Sequence, residues 1–411
     1  MWATVLLSVT TDLDKISGYI YPNEFELHWG LLVVLYPYLT GLVAGAFILA
    51  SLERVFHVRA LEPVYRLSLL TALAFLLVAP LPLLAHLGHP ERAFEMFLTP
   101  QSKSAMAMFG FVYAWYLMVV LLLEIWFDYR KDIVVRSREI KGWTKYLYKI
   151  LTLGATDTSE RALRFDDKVG RGITIVGIPS AFLLHGYVGF IFGSVKANPW
   201  WSSVLMPIVF LFSAIVSGIA LMLLVYMISS LFRWKTMKMD CLNKLASLLL
   251  YAIIVDFSLE LLDFVHRLYE SEESIHILSE MISSRLFISL IISQVIIGTL
   301  MPMLFLFFGR YGKGPDEAKR MLYFIAAILV QVGIFSTRWN VVIGGQLFSK
   351  SLRGLTVYKL EILGLEGLLT SVFLLVLPFF ILFVLAKLLP PWSDSEKALE
   401  RPETTATDGR G

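Results

Sequence analysis

Between residues 245 and 267 an otherwise apolar stretch carries Asp256, Glu260, Asp263 and His266. Spacings of four and three put the three acids on one helical face. Ionisable groups inside a membrane helix are costly unless paired or hydrated, and they mark routes for protons, ions or polar ligands. Carboxyls separated by a hydrogen bond or a single water can pass protons along, each serving in turn as acid and base. The plainer role for such acids is to hold helices together, but three acids within eight residues exceed what that needs. A bioenergetic function is therefore the first expectation, with Asp256, Glu260 and Asp263 as its proton-carrying groups.

A second set of candidates lies in LLHGYVGFIFGSVKANPWW, which brings His185 and Tyr187 into an apolar segment. A lone helix histidine is usually a hydrogen-bonded packing residue. An imidazole and a phenol together have the chemistry to hold and protonate the carbonyl oxygens of a quinone, which is flat and polar at both ends. HLGHPERAF adds His86, His89 and Arg92, and the segment from residue 28 adds His28, Tyr36 and Tyr38. Haem is the rival use of membrane histidines, but it needs axial ligands facing each other across a bundle. No expected span carries two histidines so separated. The single cysteine, Cys241, provides no iron–sulfur cluster, metal knot or covalent haem site. No metal site is expected, and any metal centre has to come from partners.

The elements that position these residues are membrane helices. Of 411 residues 57% are hydrophobic and 17% charged, and the mean hydropathy is +0.70. Apolar runs of about 20 residues cover a hydrocarbon core of about 30 Å. They fall at about 31–53, 64–86, 105–127, 172–194, 203–230, 245–267, 285–308, 319–337 and 365–388. The expected fold is an all-α polytopic membrane protein of about nine spans. Gly41 and Gly45 in the first span recur in kind as Ser213 and Ser217 in the fifth, which suggests two related four-helix bundles plus a C-terminal helix. Residues 1–390 would form one membrane domain. The polar tail 391–411 lacks core-forming residues and is expected to be a disordered cytoplasmic segment.

Loop charges set the expected orientation. Arg54, Arg59, Arg66 and the basic 128–171 connection follow odd-numbered spans, as do Arg233, Lys235, Lys238 and Arg310, Lys313, Lys319, Arg320. Those loops are expected in the cytoplasm. Asp12, Asp14, Glu24, Glu26 and the 270–273 acids take the other side, so the N-terminus is outside a multi-pass cytoplasmic-membrane protein. Met1–Thr11 has no basic start, so no cleaved signal peptide is expected. The eighth-to-ninth connection, with Arg338, Lys350, Arg353 and Lys359, breaks the charge rule and is either a solvated loop or a docking surface for an outer partner. Trp29, Trp200 and Trp201 read as interface-belt aromatics. A net charge of +3 without a basic helix face gives nucleic-acid binding no support.

Four segments, HWGLLVVLYPYLTGLVAGAFILASL, HLGHPERAFEMF, HGYVGFIFGSVKANPWWSSVLMPIVFLFSAIVSG and RWNVVIGGQ, resemble the NrfD and polysulfide-reductase membrane-subunit family. The last stretch and the span count are most similar to its DsrP branch, the quinone-interacting subunits of the complex that accompanies dissimilatory sulfite reductase. The resemblance implies a subunit without its own haem or cluster that binds menaquinone near the outer face. It also implies an outer-side, ferredoxin-like iron–sulfur partner and further cytochrome subunits. Tyr187 matches the family tyrosine that contacts the quinone, and His185 matches a histidine of the hydrogenase-type branch. Where relatives place Asn and His in the first helix, this chain has Val33 and Tyr36, and His28 is a candidate substitute.

The expected function is therefore electron exchange between membrane menaquinone or menaquinol and an iron–sulfur partner, with Asp256, Glu260 and Asp263 moving the protons and His185, Tyr187, Tyr36, His28, His86 and Arg92 around the quinone. One alternative is a proton- or cation-coupled transporter, but Pro179 and Pro207 do not interrupt corresponding places of two halves. The other is a purely structural anchor.

Overall fold

The computed structural model describes residues 15–232, 237–270 and 274–392. Among them, nine helices are long and apolar enough to cross a membrane: α1 Leu31–Arg54, α2 Arg59–His86, α3 Ala107–Glu139, α4 Glu160–Gly193, α5 Met206–Phe232, α6 Met239–Glu270, α7 Phe287–Tyr311, α8 Asp316–Gln346 and α9 Leu368–Leu388. Hydrocarbon offers no water to unpaired N–H and C=O groups, so the apolar runs close their own hydrogen bonds as helices. The chain is an all-α polytopic membrane protein. Several helices outrun their apolar windows. α4 starts at Glu160, where the Ser159 hydroxyl accepts the Ala162 N–H as an N-cap. The tail from Ser393 lies outside the described residues, as do Asp12, Asp14, Arg233, Lys235, Glu272 and Glu273.

Contacts divide the helices into two sets of four. α1 packs on α2 and α4, and α5 packs on α6 and α8 in the same way. The sets meet along α1 and α5, with α4 against α5 and α8 against α1 as the matching flanks. α9 lies outside, against α2, where Phe75 and Phe379 meet edge to face at 5.3 Å.

Two glycines make the central seam possible. A Cβ on Gly45 would fall 2.1 Å from the Ala214 carbonyl oxygen, and one on Gly218 would fall 2.3 Å from the Gly45 carbonyl carbon. Close backbone approach replaces the hydrophobic drive that lipid does not supply. Gly298 of α7 and Gly333 of α8 repeat the device in the second bundle, with a Cβ separation from backbone of only 2.1 Å. α1 is correspondingly enclosed along nearly its whole length.

The segment preceding α1 is tied to the α8–α9 connection. Ser17–Tyr19 pairs antiparallel with Arg353–Leu355, and Glu24 accepts from Ser349 Oγ and lies 3.8 Å from Lys350 Nζ. This end, which also holds His28, is the His28 side; the end holding Arg54 and Arg66 is the Arg66 side. The sequence reading of residues 338–359 as one basic loop needs correcting. Lys350, Arg353 and Lys359 are exposed, but Arg338 is wholly buried within α8. An arginine ends an apolar window in a hydropathy reading, yet the helix runs past it because other helices supply its partners.

Candidate functional site

Arg338 lies at the seam of the two bundles. It is 0% exposed, and its guanidinium sits 4.1 Å from the centre of the Phe210 ring. Nη2 donates to Ser213 Oγ at 2.5 Å and approaches His185 Nε2 at 3.2 Å. Because arginine only donates, His185 Nε2 must accept, which assigns the ring proton to Nδ1. Nδ1 then faces Thr40 Oγ1 at 3.3 Å, whose hydroxyl donates to the Tyr36 carbonyl at 3.1 Å. Gly41 makes room for the imidazole: a Cβ there would lie 3.1 Å from His185 Cε1. α1, α4, α5 and α8 thus share one polar knot.

The acids of α6 face that knot. Asp256 and Glu260 are the acidic groups that the Arg338 charge acts on. Asp256 is buried, and its Oδ1 has no hydrogen-bond partner among the described residues. Glu260 accepts from Gln294 Nε2 at 3.1 Å and from Thr337 Oγ1 at 3.4 Å. A void of about 10 Å³ borders both carboxyls, about the minimum for one water. Asp263 is held differently, by Arg267 and by the Ser203 hydroxyl. His266 lies 3.4 Å from Glu270, near the His28 side.

Tyr187 does not join His185. Two residues along a helix are about 200° apart, and the phenol turns toward α3. It donates to the Ala105 carbonyl at 2.6 Å and stacks on Phe109 with centroids 5.9 Å apart. Tyr36 meets the same Phe109 edge to face at 5.4 Å. Its buried hydroxyl has no hydrogen-bond partner among the described residues. The reading of His185 and Tyr187 as one clamp is therefore corrected: Tyr36, Phe109 and Tyr187 form an aromatic wall in the first bundle, and His185 belongs to the seam.

The other candidates remain at the periphery of the His28 side. His28 is exposed ahead of α1. His86 Nδ1 lies 3.0 Å from Glu366, and Arg92 makes a two-pronged bond to Glu95 at 2.9 Å. Trp200 and Trp201 are buried, which corrects their reading as belt residues. Their indole N–H groups donate to the carbonyls of Asn340 and Val341 at 2.8 and 2.6 Å, satisfying acceptors that a helix end leaves open. Sequence reasoning missed Thr40, Ser213, Gln294 and Asn340. Gln294 had a signal, as the one amide in α7. On the Arg66 side, Glu124 accepts from Thr174 at 2.7 Å, and Asp128 pairs with Arg66 at 2.8 Å.

The family model described as polysulphide reductase, NrfD, matches residues 22–350, and the chain belongs to this family. It is 36% identical over 323 residues to a selenate reductase component, the C polypeptide of that enzyme in Mesobacillus selenatarsenatis, covering 77% of this chain and 73% of that one. A putative dimethyl sulfoxide reductase membrane component of Halobacterium salinarum is 29% identical over 54% of this chain and 48% of its own length. Protein NrfD of Escherichia coli is 27% identical over 49% of this chain and 60% of its own length.

Proposed function

We propose that this chain is the quinone-reactive membrane subunit of a respiratory reductase complex. It would exchange electrons between menaquinone or menaquinol and an iron–sulfur protein docked on the His28 side, which the loop charges favour as the outer side of the cytoplasmic membrane. The observation that carries the reading is the Tyr36–Phe109–Tyr187 wall. The buried Tyr36 hydroxyl, which has no partner among the described residues, offers a hydrogen bond to a ring oxygen beside the Phe109 and Tyr187 rings. Membership of the family supports it, as do relatives that carry the names of reductase components.

Quinol oxidation supplies two electrons and two protons, and this chain's residues divide those tasks. The exposed Lys350, Arg353 and Lys359 offer a basic surface to the partner that takes the electrons. Asp256 and Glu260 are the groups able to hold protons in the interior, and Asp263, bound to Arg267, lies toward the outer end of α6. Arg338 keeps its own proton and fixes the charge between His185 and the acids, so it positions them and does not relay. The similarity of RWNVVIGGQ to the DsrP branch favours a role in sulfur-compound respiration. Isolation of the native complex with its lipids tests the proposal. Bound menaquinone together with an iron–sulfur protein is the expected finding; a complex free of quinone that still transfers electrons from quinol would refute it.

A further inference from the structure

The second bundle contains a cavity that the proposed quinone wall does not use. It has a volume of about 250 Å³ and lies between α5, α6, α7 and α8. Phe257, Phe264 and Ile291 are among its apolar lining, Glu260, Gln294, Thr337 and Asn340 form its polar end, and the paired Asp263 and Arg267 line it as well.

The polar end is a chain of amides with one acceptor left over. Asn340 Nδ2 donates to Gln294 Oε1 at 2.8 Å, and Gln294 Nε2 donates in turn to Glu260. That order fixes which way both amides point. Asn340 Oδ1 is therefore an acceptor, and it is buried with no partner among the described residues. An orphaned buried acceptor is costly, so it marks a place where a ligand donor is wanted. The opposite requirement is met as well, because each amide nitrogen has a second hydrogen to give to a ligand oxygen. A ligand that fits carries hydroxyls on a flat apolar body.

The route in is lateral. Leu261, at the cavity edge, is 51% exposed on the membrane-facing side of α6. The volume is slightly below the roughly 300–1,000 Å³ of small-molecule sites, enough for a ring headgroup whose long chain stays outside in lipid. α7 is wound as a π-helix over Phe287–Leu300, and the third helix of the first bundle, α3, is wound the same way over Tyr116–Leu121. Such windings recur at functional sites because they shift side-chain register.

We propose that this cavity is a second binding site, for a membrane-borne quinol-class ring, with its hydroxyl donated to Asn340 Oδ1 and its entry past Leu261. It is separate from the Tyr36–Phe109–Tyr187 wall and stands whether or not that wall binds quinone.

The test uses the whole chain in its complex in lipid nanodiscs and a hydroxynaphthoquinone with a diazirine on its side chain. Cross-linked peptides are mapped after illumination. Labelling of the α6 and α7 peptides is expected, competed by unlabelled menaquinol. Asn340→Leu should lower it about tenfold, the loss of one buried hydrogen bond. Leu261→Trp should narrow the mouth and do the same without touching the fold, since the side chain faces lipid. Neither variant should change labelling of the α3 and α4 peptides at the wall. Absence of α6 and α7 labelling, or labelling that menaquinol does not compete and Leu261→Trp does not reduce, overturns the proposal. Loss of labelling at the wall alone would instead count against the proposed function.

Discussion

Replacing Arg338 by Met removes the guanidinium and its contact with the Phe210 ring while keeping a long apolar stem. Two effects compete in setting the cost. The bonds to Ser213 and His185 are ordinary interhelical hydrogen bonds, worth about 0.6 kcal/mol each inside a membrane protein. The charge adds to this, because Asp256 and Glu260 lose a positive neighbour, but neither acid bonds to the guanidinium among the described residues, so the loss falls below the roughly 3–5 kcal/mol of a broken buried ion pair. The methionine variant should therefore be destabilised by about 2–3 kcal/mol, and Arg338→Lys, which keeps the charge but not the fork, by only about 1 kcal/mol. Adding Asp256→Asn to the methionine variant should restore part of the loss, since fewer buried acids then lack compensation. The chain reports its own unfolding: Cys241 is the single cysteine and is buried, so a thiol-reactive dye in detergent reads the transition. Equal stabilities for the lysine and methionine variants, or strict additivity with Asp256→Asn, would refute the argument.

Gly45→Val should abolish assembly of the two bundles, because even a Cβ would collide with the Ala214 carbonyl; blue-native gels and yield in membranes check it. Asp256→Asn and Glu260→Gln should each slow quinol turnover without loss of bound quinone, and the double variant should be little worse than either. Wild-type turnover by both across about pH 6 to 8 would leave the acids a packing role. A reporter fused at Ser159 should prove cytoplasmic, and an outside signal would invert the orientation.

The nine spans were legible because uninterrupted apolar runs have one stable solution in lipid. Their ends were not, since α4 and α8 continue as ordinary capped or buried helix once hydropathy falls. Arg338 shows why the knot stayed hidden. A charge at a window's edge reads as loop, and only the partners on α4 and α5 make it interior. The divergence of His185 and Tyr187, by contrast, was implicit in their spacing of two. The acids of α6 were visible from type and period alone. Asp263 and Arg267 are four apart on α6 itself, but the attachments of Glu260 to Gln294 and of Asp263 to Ser203 depend on α7 and on the α4–α5 connection, whose register no sequence period fixes.

The central claim is that quinone chemistry takes place at the Tyr36–Phe109–Tyr187 wall. Steady-state electron transfer from menaquinol to the iron–sulfur partner, measured in the purified complex carrying Tyr36→Phe, tests it most directly. The substitution removes a hydroxyl that has no partner among the described residues and leaves the ring edge-on to Phe109, so assembly should be unchanged. A site that reads ring oxygens by hydrogen bonds should lose about tenfold or more in kcat/KM. Turnover and inhibitor affinity equal to the unmodified complex would contradict the account.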